Sequence, residues 1–525
     1  MYGGVYMPKY SNTVLRVVFG TLLFAILVLL LFADNIEYYY KPEFMLSNPV
    51  IMGILLIIFA MVYLAYRFYK HNGSFFTFKK YDKLIIALTV VLFVGQVYVF
   101  SNIYFYTGWD VLHVRELAIA IVDGNKETMA SQTEYFSTYP NNLFITFITA
   151  FIHKVNGAIG VFDKNYVVMI GVIINCILNS LTCYLVYKTA ALYIEKKYAL
   201  FSYFVAVFSL GISPWTIIFY SDAVGLFIPI LTFYLYNKPI AQKNKRIAVR
   251  ISSFCLGTVG YFIKPQCVIV LIAILIIEAL KLFNGFKIKK LLKPAVLILT
   301  CAICFTTMSF SLDSICKKVD FELDKNKAFS MPHFFMMGLS ETRSGGYELE
   351  DVVFSKSFDS SSERNSANIK ESVKRIKKFG FSGYVKHLGK KLLTTFNDGT
   401  FSWGKEGRFY YKVPENVNSK VAPFLKSIYY SDGSKHEWFC LIQQAVWLAI
   451  LSLSFIACFL KDNNHKNTEI NILFLAIIGF ILFEILFEVR ARYVYIMVPI
   501  FCVLSAIGFK NLCESSKKIV KRVIK

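Results

Sequence analysis

Long apolar runs recur along almost the whole sequence, and they constrain its fold more than any other feature. About twelve runs approach the roughly 20 residues that one helical crossing of a bilayer requires. They are residues 14–32, 49–66, 84–105, 166–187, 199–216, 222–236, 251–262, 267–282, 291–311, 438–460, 470–487 and 493–509. Of the 525 residues, 56% are hydrophobic and 17% are aromatic, which lies outside the range of soluble globular domains. We therefore predict an all-α polytopic membrane protein.

The basic residues indicate which ends of these crossings face the cytoplasm. The formal net charge of +23 would by itself suggest a nucleic-acid partner. However, the Lys and Arg residues fall largely in short clusters between apolar runs, as they do in cytoplasmic loops under the positive-inside rule. We therefore expect no nucleic-acid binding. Instead we expect a multi-pass protein of the cell membrane, embedded in the lipid bilayer, with both termini in the cytoplasm.

The cysteines give no sign of a disulfide framework or a metal site. Of the 11 Cys, nearly all lie in or beside apolar runs, where packing is their ordinary role. No carboxylates spaced to bind a divalent cation stand out in the first outer loop. We predict that the protein uses no cofactor and no metal.

The order of apolar and polar stretches divides the chain into four parts. Residues 1–83 hold two helices that precede the core, and residues 84–311 form a core whose important outer loop is 106–164. Residues 312–437 are a long polar stretch, which we place outside the membrane as a small extracytoplasmic segment of mixed structure. Residues 438–525 hold the last three predicted crossings and a basic tail.

Two further stretches are expected to concern the membrane surface. Residues 142–153 are apolar but too short to span, and an odd number of crossings must separate the outer loop from the basic pair Lys196–Lys197. We therefore predict a helix in the interface. Residues 369–393 form a basic amphipathic stretch with Gly380 to Gly383 interrupting it. That stretch fits either a helix on the outer membrane surface or a site that holds an anionic polymer.

Polar residues at the outer ends of the predicted crossings are the candidates for chemistry. One carboxylate beside several cations suits transfer from a phosphate-linked lipid donor. The acid takes a proton from the attacking hydroxyl, and the cations neutralise the leaving phosphate. Asp110 is the first candidate, because a carboxylate at the foot of a membrane helix is costly unless it is paired or used. The others are Trp109, Tyr139, Asn141, Asp222, Lys264, Glu488, Arg490, Arg492 and Tyr493.

The charged candidates also have simpler structural interpretations. Asp110 and Asp222 are both suited to capping the helix that follows. Lys264 could extend its amine toward the interface. Arg490 and Arg492 could be ordinary flanking charges, although they are predicted to face outside, against the positive-inside bias.

The neighbours of Asp110 have alternatives of their own. Trp109 and Tyr139 are aromatic residues of the kind that gather at membrane interfaces. His113, about one helical turn after Asp110, could orient its carboxylate. Glu116 could supply a second acid.

The order of these motifs on one predicted face resembles a known superfamily. The motifs are Gly108-Trp109-Asp110, Tyr139-Pro140-Asn141-Asn142, Phe219-Tyr220-Ser221-Asp222, Lys264-Pro265 and Glu488-Val489-Arg490-Ala491-Arg492-Tyr493. From about residue 84 onward the chain is similar to membrane glycosyltransferases of the GT-C fold. The most similar branch is the bacterial family 39-like group, related to protein O-mannosyltransferases and aminoarabinose transferases. Members often carry paired acids at the first-loop site, whereas here Val111 follows Asp110.

The resemblance implies a GT-C-type bundle of about 12 transmembrane helices, with interfacial helices in the first outer loop of the core. It also implies inverting transfer of a sugar from a polyprenyl-phosphate donor to an extracytoplasmic glycan, lipid or protein acceptor. By position Asp110 would be the general base. Lys264, Arg490 and Arg492 would hold the donor phosphate, and Asp222 would line the sugar or acceptor pocket.

Three other functions fit parts of the sequence. A transporter or lipid-sugar flippase would bury ionisable residues within its helices, and Glu484 and Glu278 lie within or near the ends of predicted crossings. A polysaccharide polymerase or ligase of unrelated fold would also use lipid-linked sugars, although we would expect its chemistry in the late loop rather than near Asp110. A non-catalytic protein would use the outer segment as a binding module.

Overall fold

Helices dominate the computed structural model, which describes residues 9–72, 80–160, 167–283, 288–403, 410–413, 420–459 and 464–523. They are α1 (Lys9–Leu31), α2 (Asn48–Asn72), α3 (Tyr81–Ser101), α4 (Trp109–Asp123), α5 (Lys126–Thr138), α6 (Leu143–Ile159), α7 (Val167–Tyr193), α8 (Lys196–Ala206), α9 (Ser221–Gly225), α10 (Phe227–Asn237), α11 (Lys243–Ile263), α12 (Val268–Leu282), α13 (Ile288–Lys318), α14 (Met331–Met337), α15 (Leu349–Lys356), α16 (Ser361–Phe396), α17 (Ala422–Tyr429), α18 (His436–Ile456), α19 (Asn464–Leu486) and α20 (Val498–Val523). One antiparallel pair of short strands, β1 (Tyr106–Thr107) and β2 (Tyr410–Lys412), joins the first outer loop to the later segment. The predicted all-α polytopic membrane fold is confirmed.

Ten helices in the described part of the chain are long and apolar enough to cross a membrane. They are Tyr10–Leu31, Tyr81–Ser101, Pro140–Ile159, Val168–Tyr193, Lys243–Ile263, Pro265–Leu282, Leu291–Lys318, His436–Phe459, Thr468–Leu486 and Ala491–Ser515. Nine of the roughly twelve predicted crossings fall on these helices, and the tenth helix, Pro140–Ile159, contains the predicted interfacial stretch 142–153. Predicted crossings 199–216 and 222–236 fall on interrupted helices, and 49–66 falls on α2, whose described apolar part is Asn48–Met61.

The chain between α7 and α11 is interrupted because local backbone chemistry overrides its apolar composition. The helix α8 passes into a π-helical turn, Val207–Gly211, which a 3-10 turn, Pro214–Ile217, follows. Proline lacks the N–H that a continuing helix would need. A new helix, α9, starts only at Ser221. The interruption places Asp222 beside the end of α11, where Lys264 lies.

Contacts of Asp82 show that α3 and α7 run in opposite directions. Asp82, in the first turn of α3, accepts a hydrogen bond from the Tyr187 hydroxyl at 3.2 Å and pairs with Lys196, which follows α7. The start of α3 and the end of α7 therefore lie at the same end of the bundle. The end of α3 and the start of α7 therefore lie together at the opposite end, so α6 alone is not a crossing that joins them.

The helix α6 is longer than we predicted. With its preceding 3-10 turn it covers Pro140–Ile159, which is 20 residues, so the argument that it is too short to span was wrong. It packs along α4, and the Phe144 ring lies 6.4 Å from that of Phe262 near the end of α11. These contacts keep α6 at one end of the bundle, and its position in the interface stays a prediction.

The segment after α13 folds onto the same end of the bundle. Its longest helix, α16, is kinked at Gly380, whose φ is 59°. A buried turn follows α16, and Asn397 in this turn donates a hydrogen bond to the Tyr38 hydroxyl at 2.7 Å. The Trp215 indole donates to the carbonyl of Phe401 in the same turn at 3.1 Å. The segment after α13 is therefore built into the bundle rather than attached as a separate module.

Two polar residues of this segment have structural roles. His333 is fully buried, and its Nδ1 lies 2.7 Å from the Ser355 hydroxyl. Burial lowers the pKa of His333 to about 3, so the ring is neutral. The Asp398 carboxylate accepts hydrogen bonds from the backbone amides of Thr400 and Ser402, at 2.8 and 2.9 Å, which closes the turn.

The helices α18 and α20 approach so closely that a glycine is required between them. A Cβ at Gly508 would overlap the carbonyl oxygen of Leu453 and lie 2.7 Å from its carbonyl carbon. Small residues at such contacts allow membrane helices to pack backbone against backbone. About two turns away the Trp447 and Phe501 rings fill the same interface, with centroids 5.4 Å apart.

Gly508→Ala is expected to destabilise the protein by about 2 kcal/mol or more, because the methyl group forces two backbones apart. Gly95→Ala in α3 is the matched control, since a Cβ there meets nothing within 4 Å and Ala is the better helix former. Thermal unfolding of both variants in detergent measures the difference. Equal melting temperatures for the two variants would contradict the close packing of α18 and α20.

Candidate functional site

Asp110 lies in the first turn of α4, and hydroxyl groups from two other elements face its carboxylate. The Tyr135 hydroxyl of α5 donates to Asp110 Oδ1 at 2.7 Å. The Tyr220 hydroxyl lies 3.3 Å from Asp110 Oδ2 and 2.9 Å from Asn142 Oδ1. The Asn142 amide in turn donates to the Tyr135 hydroxyl at 2.7 Å. These four side chains form a closed polar network around the carboxylate.

Burial and charge keep the phenol of Tyr135 in its protonated, donating form. Burial raises the pKa of Tyr135 far above its usual value, and the neighbouring Asp110 carboxylate raises it further. The His113 ring stacks on Tyr135 with centroids 4.0 Å apart, and His113 Nδ1 lies 2.8 Å from Gln132 Oε1. The Gln132 amide donates to Glu116 at 2.9 Å. His113 therefore supports Asp110 through Tyr135, and Glu116 is tied to α5.

The capping interpretation of Asp110 is wrong. The residue that caps α4 is Gly108, and Asp110 is the second residue of the helix, with its side chain directed to Tyr135. A carboxylate in the first turn still gains from the helix dipole. Trp109 beside it has φ 45°, a left-handed backbone that few non-glycine residues adopt.

A buried ion cluster lies next to Trp109. Asp222 and Lys264 form an ion pair with side chains 4% and 6% exposed, and Arg492 Nη1 lies 3.9 Å from Asp222. The Arg492 guanidinium stacks over the Trp109 ring at 4.5 Å, and the Lys264 amine lies 4.8 Å from the centre of the Tyr493 ring. The cluster joins α9, the end of α11 and the chain before α20.

The simpler interpretations of Asp222 and Lys264 are therefore wrong. Asp222 makes no capping hydrogen bond at the start of α9. Lys264 does not extend toward an interface, because it is 5% exposed and paired. The guanidinium of Arg492 is similarly enclosed at 8% exposure, which is unlike an ordinary flanking charge.

A second charged pair forms a neighbouring wall of the site. Arg490 Nε lies 3.2 Å from Glu488 Oε1, and the guanidinium faces the rings of Tyr40 at 5.3 Å and Tyr347 at 5.6 Å. Burial raises the pKa of Tyr139, with smaller contributions from Tyr347 and from the carboxylates of Asp110 and Glu488. Tyr139 thus lies within the field of both carboxylates.

Lys391 of α16 holds the backbone that carries Glu488, Arg490 and Arg492. Lys391 is 1% exposed. Its amine donates to the carbonyls of Gly338, Ile485 and Phe487 at 2.9, 2.8 and 2.8 Å. A three-donor ammonium matches three carbonyl acceptors. The outer segment therefore fixes one wall of the site.

The structure brings most of the predicted site residues to this one end of the bundle. Around Asp110 and the ion cluster lie Trp109, Asp222, Lys264, Arg492 and Tyr493, and Tyr139, Glu488 and Arg490 lie beside them. Asn141 is exposed and donates to Asn142 at 3.3 Å. The adjacent Asn142 belongs to the network instead.

The sequence analysis did not select Tyr135, Asn142, Tyr220 or Lys391. The sequence does indicate the first three. Tyr135 precedes Tyr139 by one helical turn, and Tyr220 and Asn142 belong to two of the polar motifs at the ends of apolar runs. No sequence pattern indicates Lys391, because its carbonyl partners Gly338 and Phe487 are distant in sequence.

Two acidic residues considered for transport lie in different settings. Glu278 pairs with Lys281 at 2.8 Å and Lys293 at 2.6 Å, so its charge is compensated. Glu484, near the end of α19, is 1% exposed, and neither carboxylate oxygen has a hydrogen-bond partner in the described part of the chain. No group of three or more His, Cys, Asp or Glu side chains placed to hold a metal ion occurs among the described residues.

The fold and this site define an all-α integral membrane protein with a carboxylate and a paired set of cations at one end of its helix bundle. The sequence matches the family described as conserved hypothetical integral membrane protein over residues 7–513, so the chain belongs to that family. No curated protein and no solved structure matches the chain.

Asp222→Asn is expected to destabilise the protein by about 3 kcal/mol, because it leaves the buried Lys264 ammonium without a carboxylate. Adding Lys264→Gln removes the stranded charge, so the double variant should lose less stability than the two single variants summed. Denaturation in detergent measures all three variants against the parent. Additive losses would show that Asp222 and Lys264 do not interact.

Proposed function

We propose that the chain is a GT-C-type membrane glycosyltransferase of the family 39-like kind. It would transfer a monosaccharide, with inversion, from a polyprenyl-phosphate donor to an extracytoplasmic acceptor such as a cell-wall polymer, a glycolipid or a protein. The single observation that carries the proposal is the junction at Trp109 and Asp110. Asp110, which accepts from Tyr135, directly follows Trp109, and Arg492 stacks on the Trp109 ring. The proposed base and a cation therefore lie side by side in the site.

Asp110 is the proposed general base. Its Oδ1 already accepts the strong hydrogen bond from Tyr135, whereas Oδ2 faces Tyr220 at the longer distance of 3.3 Å. Oδ2 is therefore the oxygen that takes the proton of the acceptor hydroxyl. That hydroxyl oxygen forms the new bond to the anomeric carbon as the bond from this carbon to the phosphate oxygen breaks, and the polyprenyl phosphate leaves.

The ion cluster supplies the positive charge that this leaving group needs. Lys264 and Arg492 contribute two positive charges against one negative charge from Asp222, so the cluster carries one net positive charge. A sugar polyprenyl phosphate is a diester with one negative charge. Arg492 is held in a fixed position between Trp109 and Asp222, and such preorganised cations stabilise developing phosphate charge. Arg490 is the third proposed phosphate contact.

The distribution of basic residues supports an extracytoplasmic site. The helix α11 begins with Lys243, Lys245 and Arg246 and ends before Lys264. The helix α20 follows Arg492 and ends in a basic tail. In both cases the site lies at the end opposite the basic cluster, which the positive-inside rule assigns to the cytoplasm.

A lipid-sugar flippase is the second candidate, and Glu484 favours it. A glutamate buried in a membrane helix, as Glu484 is, is typical of the proton and ion pathways of transporters. Glu484 lies near the end of α19 rather than at its middle, and transporters usually place their sites near the bilayer midplane. Glycosyl transfer is therefore favoured.

Asp110→Asn is expected to lower sugar transfer by about 100-fold or more, because the amide cannot accept the proton. Membranes with a panel of labelled polyprenyl-phosphate sugars measure donor consumption. The matched control is Asp123→Asn, which makes the same substitution at the exposed far end of α4 and should retain activity.

Equal transfer by the two variants would remove Asp110 as the base. If wild-type protein consumes none of the donors, glycosyl transfer is contradicted. In that case translocation of the same lipids, compared between wild type and Glu484→Gln, would test the flippase.

A further inference from the structure

A strongly basic and partly apolar surface surrounds the kink of α16, and the proposed reaction does not use it. From residue 370 to residue 391, eight residues are Lys or Arg and only Glu371 is acidic. We define the kink surface as these exposed residues of α16: Ile369, Lys370, Val373, Lys374, Lys377, Phe381, Val385 and Lys386.

The kink itself directs an aromatic side chain outward. Gly380 has φ 59°, a conformation that strains residues with a Cβ atom. On its N-terminal side Phe379 turns inward and stacks on His387 with centroids 4.7 Å apart. On the other side Phe381 is 89% exposed. The kink thus leaves Phe379 packed inside the protein and Phe381 exposed on its surface.

The Arg375 charge on the inner face of α16 is neutralised within the protein, and Lys374 of the kink surface pairs with Glu371 at 3.2 Å. Arg375 makes two bonds to Asp351, at 2.9 and 2.6 Å. In contrast, Lys370, Lys377 and Lys386 form no ion pair with any residue that the structure describes. The kink surface therefore presents an uncompensated positive charge.

Contacts at the far end of α16 place Gly389 and Lys391 beside the ends of two candidate membrane spans. A Cβ on Gly389 would lie 3.9 Å from Leu29 Cδ2, near the end of the candidate span Tyr10–Leu31. Lys391 bonds to the carbonyl of Ile485 at the end of another span. Phe381 precedes Gly389 by eight residues, so at most about 12 Å of helix separates it from a residue that lies beside a candidate span.

We propose that the kink surface binds the anionic bilayer surface at this end of the bundle. The lysines contact lipid phosphates, and Phe381 inserts between the headgroups and the upper acyl chains. Basic and aromatic residues combined on one helix are typical of membrane-surface contacts. A soluble anionic polymer would account for the lysines but not for the exposure of Phe381 and Val385. The proposal does not depend on glycosyl transfer.

The test replaces the exposed Phe381 of the full-length protein with tryptophan. Phe381→Trp is reconstituted into nanodiscs of phosphatidylcholine and phosphatidylglycerol, with or without bromine on the acyl chains. Bromine quenches only nearby indoles, so the fluorescence gained over wild type should be lost in brominated lipid. Val353→Trp is the control, because Val353 is 61% exposed beside the acidic residues Glu350 and Asp351.

Two outcomes overturn the proposal. In the first, brominated lipid does not quench the fluorescence that Phe381→Trp adds over wild type, or quenches it no more than it quenches the fluorescence that Val353→Trp adds. The second is an emission change on adding soluble polyglutamate without bromine quenching, which would identify a polymer site. Since Phe381 is 89% exposed, its replacement leaves packing intact, and an unchanged melting temperature checks this.

The role of charge has its own comparison. In the Phe381→Trp protein, Lys370→Gln, Lys377→Gln and Lys386→Gln together should reduce the bromine quenching in discs that contain phosphatidylglycerol. In discs of phosphatidylcholine alone the same three changes should have a smaller effect. Equal effects in both lipids would contradict binding to anionic headgroups.

Discussion

Charge that is buried at the end of a membrane helix bundle must be neutralised where it lies, and the ion cluster at Asp222 meets this requirement. Asp222 pairs with Lys264 and faces Arg492, and all three side chains are at least nine-tenths buried. Breaking a buried pair costs several kcal/mol, because the remaining charge is stranded. The three residues come from different parts of the chain, so their pairing joins the interruption after α8 to the ends of α11 and the start of α20.

Trp109 connects this cluster to Asp110. Arg492 stacks on its ring, and the Tyr220 ring packs against it with centroids 5.5 Å apart. The left-handed backbone of Trp109 is maintained by these contacts, and such strain is typical of functional sites. The carboxylate and the cations are therefore held in one fixed arrangement. Lys391 adds a third support by fixing the backbone before Arg492 from the side of the outer segment.

Much of the fold follows from patterns that are local in the sequence. The helices α1, α3, α7, α12 and α19 fall where long apolar runs predict them, because burial in lipid requires about 20 apolar residues per crossing. The interruptions at Val207–Gly211 and Pro214–Ile217 were not predicted, because hydropathy does not register backbone breaks. The length of α6 was also underestimated, since the helix was predicted to end at His153 and continues to Ile159.

The candidate site was predictable wherever its residues sit in short polar motifs at the ends of apolar runs. Asp110, Asp222, Lys264 and Arg492 were found in this way. Most of the residues that contact them were not predicted, because these contacts depend on the tertiary structure. The Asn142 amide, rather than that of Asn141, reaches the network as a result of helical rotation after Pro140, and Lys391 depends on carbonyls from two distant segments.

The most direct test of the central claim is an experimental structure of the protein in nanodiscs with a non-hydrolysable sugar polyprenyl phosphonate. If Asp110 is the base and the ion cluster receives the phosphate, the phosphonate oxygens will contact Arg492. The anomeric carbon will then lie between the phosphonate and Asp110 Oδ2, with space for an acceptor hydroxyl beside that oxygen. A phosphonate bound away from Arg492, or a sugar with its anomeric carbon out of reach of Asp110, would contradict the account.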